Sequence, residues 1–378
     1  SGGRSVSARP FDTTGSVKWA YATGATALAP AGIIRGDRYL VVSNDRVLHG
    51  IAAGPDGGTR PSGWIPAAMN APAQGRPTVI DFGTPTVPDA TGASKVAFVG
   101  SQDGRVYAFD ADTGAELWAS EVLGNAIQAS PGGVFQIYGA AFDLVLVGTR
   151  SSTGASKFYG LDLLTGSEAW HFDNSGESVP ANAIGIISGQ AWIDHSNSRI
   201  YFTSRDKGGG SDQTVWCIDF TPSSATFRWS AAVGDIDAAP TLWNGVLYVG
   251  NTSGTVYAFN ADSTGSNVIP LWSYASGDGA VKGYVWVNTQ AGGDVLSFST
   301  NGLVHAVTDS GDTVSEWSPP AVPGASPPFV IGGNLYVGTS TGNGSLLRLD
   351  KINGDQLGSV GLGDPAIPKS VGAGTYDN

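Results

Sequence analysis

Cysteine occurs once in the 378 residues, at Cys217, so no internal disulfide can form. Methionine also occurs once. No apolar run approaches the ~18 residues of a membrane-spanning helix, which argues against insertion in a membrane. Charge is sparse, at 14% of residues, and positive charge is the scarcer sign: 20 Lys and Arg against 32 Asp and Glu, a formal net charge of −12. Nucleic acids and anionic membranes attract basic surfaces, so the charge argues against either as the main partner. The acidic balance instead keeps a surface solvated. The first residues, Ser1-Gly2-Gly3-Arg4, show no signal peptide. Low lysine content and abundant Gly, Ser and Thr suit an exported protein, periplasmic or extracellular. Motifs of chemistry are missing as well. There is no Gly-x-Ser-x-Gly elbow, no His-Glu-x-x-His, no phosphate loop and no Cys-x-x-Cys-His. The four histidines, His49, His171, His195 and His305, have no metal-ligand spacing.

What the chain does have is 55 glycines, 41% hydrophobic residues and a repeated text. Residues 96–118 read as a three-strand ribbon. Val96 to Gly100 is short, apolar and β-branched, which favours a pleated surface. Gln102-Asp103-Gly104 makes a tight turn, because Asp-Gly tolerates positive φ. Arg105 to Asp110 is the return strand, Asp112-Thr113-Gly114 a second turn, and Ala115 to Trp118 a third strand. A lone ribbon cannot bury its faces. The chain supplies copies for it to stack on: Val246 to Gly250 followed by Thr255 to Asn260; Leu335 to Gly338 followed by Leu346 to Asp350; and Leu144 to Gly148 followed by Lys157 to Asp162, with Leu164-Thr165-Gly166 and Trp170 after it. Strand-rich repeats of this length indicate stacked units that share a core.

Tryptophans set the register. Trp19, Trp64, Trp118, Trp170, Trp229, Trp272 and Trp317 lie 45, 54, 52, 59, 43 and 45 residues apart. Thr-Gly stands just before three of them, with the glycine four residues ahead of Trp19, Trp118 and Trp170. Asn353-Gly354 fits the same frame and puts Gly358 at an eighth mark without its indole. The expected role of each Trp is to end a unit and wedge its ring against the next one. The units are 20–64, 65–118, 119–170, 171–229, 230–272, 273–317 and 318–358. Residues 1–19 align with the second half of a unit, and 359–378 with the first half of one. Together they make a split unit that closes a ring and removes exposed sheet edges. The expected fold is therefore all-β: a single-domain β-propeller of four-stranded antiparallel blades, eight with one split between the termini, with seven as the alternative count. Gly54–Gly63, Thr84–Ser94 and Lys207–Gln213 are insertions in loops, where binding is expected. Cys217 occupies the small position held by Ala108, Gly160 and Ala258, which implies a buried structural thiol. His49 and His305 fall where Tyr107 stands in its unit.

The text Val-Gly-Ser-x-Asp-Gly-x-Val-Tyr-Ala-Phe-Asp-Ala-x-Thr-Gly-x-x-x-Trp at 99–118 closely resembles the repeat of pyrroloquinoline-quinone-like β-propellers, and weaker copies cover nearly the whole chain. The resemblance implies either of two functions. Quinoprotein alcohol and glucose dehydrogenases hold the quinone and a calcium ion on the ring axis. Non-catalytic members scaffold the outer-membrane β-barrel assembly machinery. The dehydrogenases carry adjacent cysteines and large insertions, and this chain has one cysteine and little length beyond its blades. Calcium needs six to eight oxygens. The residues placed to supply some are Asp235 and Asp237, ahead of one inner strand, and Asp278 at a similar place in the next unit; the alternative reading makes them solvated turn residues. The expectation is a bacterial, non-catalytic scaffold of an exported or cell-envelope assembly. It would bind a protein partner through loops or blade faces, with no catalytic residue, cofactor or metal. The alternatives are a dehydrogenase dependent on the quinone and calcium, and a subunit of an extracellular filament or surface layer or an adhesive domain of a longer protein. The abrupt end at Asp377-Asn378, inside an apparent blade, motivates the last of these.

Overall fold

The computed structural model describes residues 19–25, 27, 32–34, 38–52, 57–82, 93–135, 142–151, 156–174, 184–206, 212–290, 293–309, 314–316, 321–331, 333–339 and 344–361. These form seven sheets of four antiparallel strands and no helix. Strands β1–β4 run over Gly32–Ile34, Arg38–Val42, Val47–Ala52 and Ala67–Ala68. Strands β5–β8 are Thr78–Asp81, Lys95–Gly100, Val106–Asp110 and Glu116–Ala119. Strands β9–β12 are Gly132–Val134, Leu144–Gly148, Phe158–Asp162 and Glu168–Phe172. Strands β13–β16 are Trp192–Asp194, Arg199–Thr203, Val215–Phe220 and Ala225–Ala231. Strands β17–β20 are Thr241–Trp243, Val246–Gly250, Thr255–Asn260 and Trp272–Ala275. Strands β21–β24 are Trp286–Gln290, Gly293–Ser299, Val304–Asp309 and Val314–Glu316. Strands β25–β28 are Phe329–Ile331, Asn334–Thr339, Ser345–Asp350 and Gln356–Gly361.

In every sheet the strands pair in sequence order, a meander from an inner strand to an outer one. Inner strands of successive sheets touch: β1 with β5, β5 with β9, β9 with β13, and β17 with β21. This is the β-propeller the repeats predict. Of the expected split blade, residues 1–18 and 362–378 lie outside the described residues, as do Trp317 and most of the expected insertions, while 359–361 belong to β28 of the seventh sheet. Proline stands directly before four inner strands, as Pro77, Pro131, Pro240 and Pro328. Having no N–H to donate, it suits the first step into a strand.

The meander fixes two ends. Turns between inner and second strands, and between third and outer strands, lie at one end of each blade, here the turn end. Turns between second and third strands, and the connectors from one sheet to the next, lie at the connector end.

There is no single core. Each hydrophobic cluster fills the seam between two neighbouring sheets. Leu40, Val42, Leu48 and Trp64 of the first sheet meet Ala97, Val99, Tyr107 and Phe109 of the second. The other faces of the same strands, Val96, Phe98, Val106 and Ala108, meet Val145, Val147, Tyr159 and Leu161 of the third. A strand sends alternate side chains to opposite faces, so a blade buried on both sides reads as a continuous apolar run. That is why the second strands were legible in the sequence.

Each indole lies against a small residue on its own third strand. Trp118, Trp170, Trp229 and Trp272 pair with Ala108, Gly160, Cys217 and Ala258, and a Cβ at Gly50 would lie 2.6 Å from the Trp64 ring. A bulky ring of the second strand borders several of them, with Trp118 5.8 Å from Phe98, Trp229 6.3 Å from Tyr201 and Trp272 6.0 Å from Tyr248. The indole edge then reaches the third-to-outer turn of the next blade. Nε1–H donates to the Leu163 carbonyl from Trp118 (3.2 Å), to Thr221 from Trp170 (3.1 Å) and to Ala261 from Trp229 (3.1 Å). A Cβ at Gly114 would lie 2.7 Å from Trp64, and one at Gly58 would lie 2.8 Å from the Trp19 side chain. Gly114 has φ 79° and Gly58 φ 82°, a conformation and a closeness that glycine alone accepts cheaply.

Sheet boundaries differ from the units in one respect. The outer strands run past the Trp, to Ala119, Phe172, Ala231 and Ala275, while Trp64 precedes β4 rather than ending it. A β-bulge explains the placement in three sheets. Register shifts after Ala108, Gly160 and Cys217 leave Leu117, Ala169 and Arg228 without a cross-strand partner just before the Trp. A bulge bends its strand and re-aims the next side chain, here toward the neighbouring blade. The last sheet keeps the bulge, after Arg348, but pairs Arg348 with Gly358. The large and small residues have exchanged strands.

Trp229 is fully buried. Trp229→Ala should lower the unfolding free energy by about 3–5 kcal/mol, read from urea midpoints at constant slope. Cys217→Ala should cost under about 1.5 kcal/mol, since sister blades already carry alanine there, while Cys217→Leu should cost about 1–3 kcal/mol by overpacking against Trp229.

Candidate functional site

The hub mouth at the connector end is where the family resemblance would seat a ligand, and the connectors there abut closely. A Cβ at Gly75 would lie 2.8 Å from the Ala129 carbonyl oxygen, and one at Gly189 would lie 2.9 Å from Ala238. Ala239 N–H donates to the Gly283 carbonyl at 2.6 Å. Arg76 and Gln190, from the second and fourth blades, join across the third, Nη2 to Oε1 at 3.4 Å. Small residues in these connectors let successive inner strands close toward the axis.

The three candidate carboxylates also lie at the connector end, and each is committed to a donor of the protein. Asp235 Oδ1 accepts the Asp206 backbone N–H at 2.7 Å. Asp237 takes a two-pronged pair from Arg205, Nε to Oδ1 at 2.7 Å and Nη2 to Oδ2 at 2.5 Å. Hydrogen bonding to Asp237 raises the Arg205 pKa further. Asp278 accepts from the Thr300 hydroxyl, and both its oxygens lie 3.2 Å from His305 Nε2. Burial pushes the Asp278 carboxyl up, but hydrogen bonds from Thr300, Ser276 and His305 outweigh it and hold it below its ordinary value. His305 is buried and stacked on Phe298, ring centroids 4.8 Å apart. Among the described residues no group of three or more His, Cys, Asp or Glu could hold a metal ion. A calcium site needs oxygen ligands free to coordinate, whereas these carboxylates face a guanidinium, an amide N–H and an imidazole.

Several other titratable groups are tied into the packing. His49 lies between Asp45 (2.9 Å) and Tyr21 (3.3 Å). In the next blade Tyr107 reaches Asp103 at 2.6 Å from the equivalent place. In both blades a turn carboxylate holds a ring four residues on. Burial pushes His195 down to about 4, so it is uncharged at neutral pH. Cys217 is fully buried, and burial pushes its thiol up. A buried thiol with a raised pKa is a poor nucleophile. Tyr248 donates to Asp309 at 2.8 Å across the seam between the fifth and sixth sheets.

Two features had no counterpart in the sequence reading. One is the Arg205–Asp237 pair. The other is a strap, the long third-to-outer connection of the fifth blade, residues 261–271, which leaves the turn end and runs beside the fourth blade toward the connector end. It runs beside β16 of the fourth blade: Gly265 N–H donates to Arg228 O (2.9 Å), Ser230 N–H to Gly265 O (3.1 Å) and Val268 N–H to Ser230 O (2.9 Å). Gln213 Nε2 donates to Asn267 Oδ1 at 2.7 Å, and Arg199 pairs with Asp262. Only its length, against the five-residue connection at 111–115, could have signalled it.

Asp278→Asn removes the charged acceptor of Thr300 and His305 and should cost about 1–3 kcal/mol at neutral pH. A carboxylate held below its ordinary value contributes stability above about pH 4, lost as pH falls through its folded pKa. The gap between wild type and variant in urea midpoint should therefore shrink from pH 7 to pH 3.

Comparison with known proteins places the chain in a family. A solved structure of BamB from Moraxella catarrhalis superposes with a TM-score of 0.57 at 18% identity, over 84% of each chain. The quinohemoprotein alcohol dehydrogenase of Comamonas testosteroni superposes with a TM-score of 0.63 at 14% identity, over 92% of this chain and 68% of that one. Both are likenesses of fold. The polyvinylalcohol dehydrogenase of Sphingopyxis sp. (strain 113P3) is 26% identical over 171 residues, 40% of this chain and only 25% of that enzyme. The sequence pattern of the family described as outer membrane protein assembly factor BamB matches residues 63–290. That match spans more than half of the chain, which thus belongs to the BamB family of pyrroloquinoline-quinone-type repeat proteins.

Proposed function

We propose that this chain is a non-catalytic propeller that scaffolds an exported or cell-envelope assembly through contacts with protein partners. The observation that carries the reading is the family match over residues 63–290, taken with the internal hydrogen bonds that Asp235, Asp237 and Asp278 make. The name of the matched family, an assembly factor of outer membrane proteins, supports a location outside the cytoplasm. The recurrent Trp positions are structural in this reading, and no catalytic or cofactor-binding residue is assigned.

The second reading is a dehydrogenase dependent on the quinone and calcium. It is favoured by the 171-residue similarity to polyvinylalcohol dehydrogenase and by the dehydrogenase fold neighbours. Adding pyrroloquinoline quinone and Ca²⁺ to the purified chain, with an artificial electron acceptor, separates the two. The scaffold reading expects no change in quinone absorbance and no oxidation of polyvinyl alcohol, methanol or glucose. Turnover that depends on both additions would overturn it.

A further inference from the structure

The strap adds a strand to the outer edge of the fourth blade. An edge strand turns every second N–H and C=O away from its own sheet. On β16 these belong to Ser230, the residue after Trp229, and the strap takes both. Ser230 N–H donates to Gly265 O (3.1 Å) and Val268 N–H to Ser230 O (2.9 Å), while Gly265 pairs with Trp229 in parallel. Val268 then packs against the apolar cluster between the fourth and fifth sheets.

The fifth blade repeats this edge without such a guest. Ser273 follows Trp272 as Ser230 follows Trp229. Trp272 and Tyr274 stand opposite Ala258 and Val256, and Ser276 N–H donates to Gly254 O. Alternation along an antiparallel ladder therefore turns the N–H and C=O of Ser273 and Ala275 off the outer side of β20. Among the described residues no strand or bridge pairs with that side. Loop length accounts for the difference. The strap on β16 is the third-to-outer connection of the next blade, residues 261–271, whereas in the sixth blade that connection spans only 310–313.

Charge does not guard this edge either. Proteins blunt exposed edges with charged side chains. Here β8 carries Glu116, β12 carries Glu168 and His171, β24 carries Glu316, and on β28 Arg348 donates to the Leu357 carbonyl at 3.3 Å. Around β20, no charged residue stands between Asp262 and Asp278. Leu271, Ser273 and Ala275 alternate as the exposed positions along it.

We propose that the outer edge of the fifth blade takes an extended, uncharged segment of a partner protein as an added strand, laid on β20 as the strap lies on β16. The inference rests on the scaffold reading and adds where the partner binds and in what form. The partner's backbone pairs with Ser273 and Ala275, and an apolar side chain covers Leu271. The sister edge sets the chemistry of the guest: its own guest, Gly265-Ser266-Asn267-Val268, is neutral and ends on a β-branched residue turned to the seam. Strand addition draws affinity from main-chain hydrogen bonds and specificity from alternate side chains.

The test uses the full chain and a defined probe, a synthetic peptide of the strap's own sequence from Ser263 to Ile269, with a backbone N-methylated version as its counterpart. Hydrogen exchange followed by NMR reads single amides. In the free chain the Ser230 amide should be protected, and those of Ser273 and Ala275 should exchange freely. The unmethylated peptide at ten times its Kd should slow both by about tenfold, and the methylated one, which lacks the donors, should slow neither. Ser273→Pro removes an N–H that β19 does not use, and Leu271→Ser removes an exposed apolar side chain. Each should weaken peptide binding about threefold or more, while Val122→Ser should leave it unchanged. Unchanged urea midpoints verify that the variants fold, and Leu271→Ser carries the test if the proline does not fold. Slowing by both peptides, or by neither, would overturn strand addition. Slowing at Ala119 or His171 instead would overturn the choice of edge. Protection of Ser273 that rises with chain concentration, without peptide, would overturn the partner in favour of a second copy of this chain. None of these outcomes touches the scaffold reading, which fails on quinone-dependent turnover.

Discussion

The whole structure depends on one contact made over and over: an indole laid on a small residue of its own blade, with its edge against the turn of the next. A four-stranded sheet is stable only when both faces are covered, and among the described residues neighbouring sheets cover them. The seam must therefore be filled tightly and at the same height in every blade. Glycine, alanine or cysteine on the third strand leaves the space, the bulge aims the ring, and the glycine of the next turn lets it approach. A change in any one element asks for a change in another. At the last sheet the third strand carries Arg348 where its sisters are small, and the outer strand carries Gly358 where its sisters have Trp.

Much of this was legible in the sequence because the contact is local in register. The spacing of glycine and Trp, the Asp-Gly turns and the apolar second strands repeat within each unit, so they announce themselves. Cys217 could be assigned to the small position by comparison with Ala108 and Ala258, and it pairs with Trp229. The bulges could not be read, since Leu117, Ala169 and Arg228 share no chemistry and are alike only in lacking a cross-strand partner. Contacts between distant parts of the chain were equally silent. Nothing near Asp237 in sequence announces Arg205, and nothing near Asp309 announces Tyr248. The strap at 261–271 sits in one of the shortest units, so unit length pointed elsewhere.

Function follows from what such a wheel leaves free. A propeller of this family can carry chemistry on its axis or offer its ends as surfaces. Here Asp237, Asp235 and Asp278 accept from Arg205, a backbone amide, and Thr300 with His305, and the connectors close against one another through small residues. Among the described residues, Ile65, Trp243, Ile269, Leu271, Ile352 and Leu357 keep apolar side chains in water. A surface spread over separate blades keeps its geometry only if the blades cannot shift against each other.

The seam account is tested most directly by hydrogen exchange at the indole nitrogens, followed by NMR. Trp118, Trp170 and Trp229 each donate Nε1–H to the next blade, so these protons leave only when a seam opens. The account predicts that they exchange as slowly as the most protected backbone amides of the third strands. Exchange at the rate of a freely exposed indole, while those amides remain protected, would contradict it.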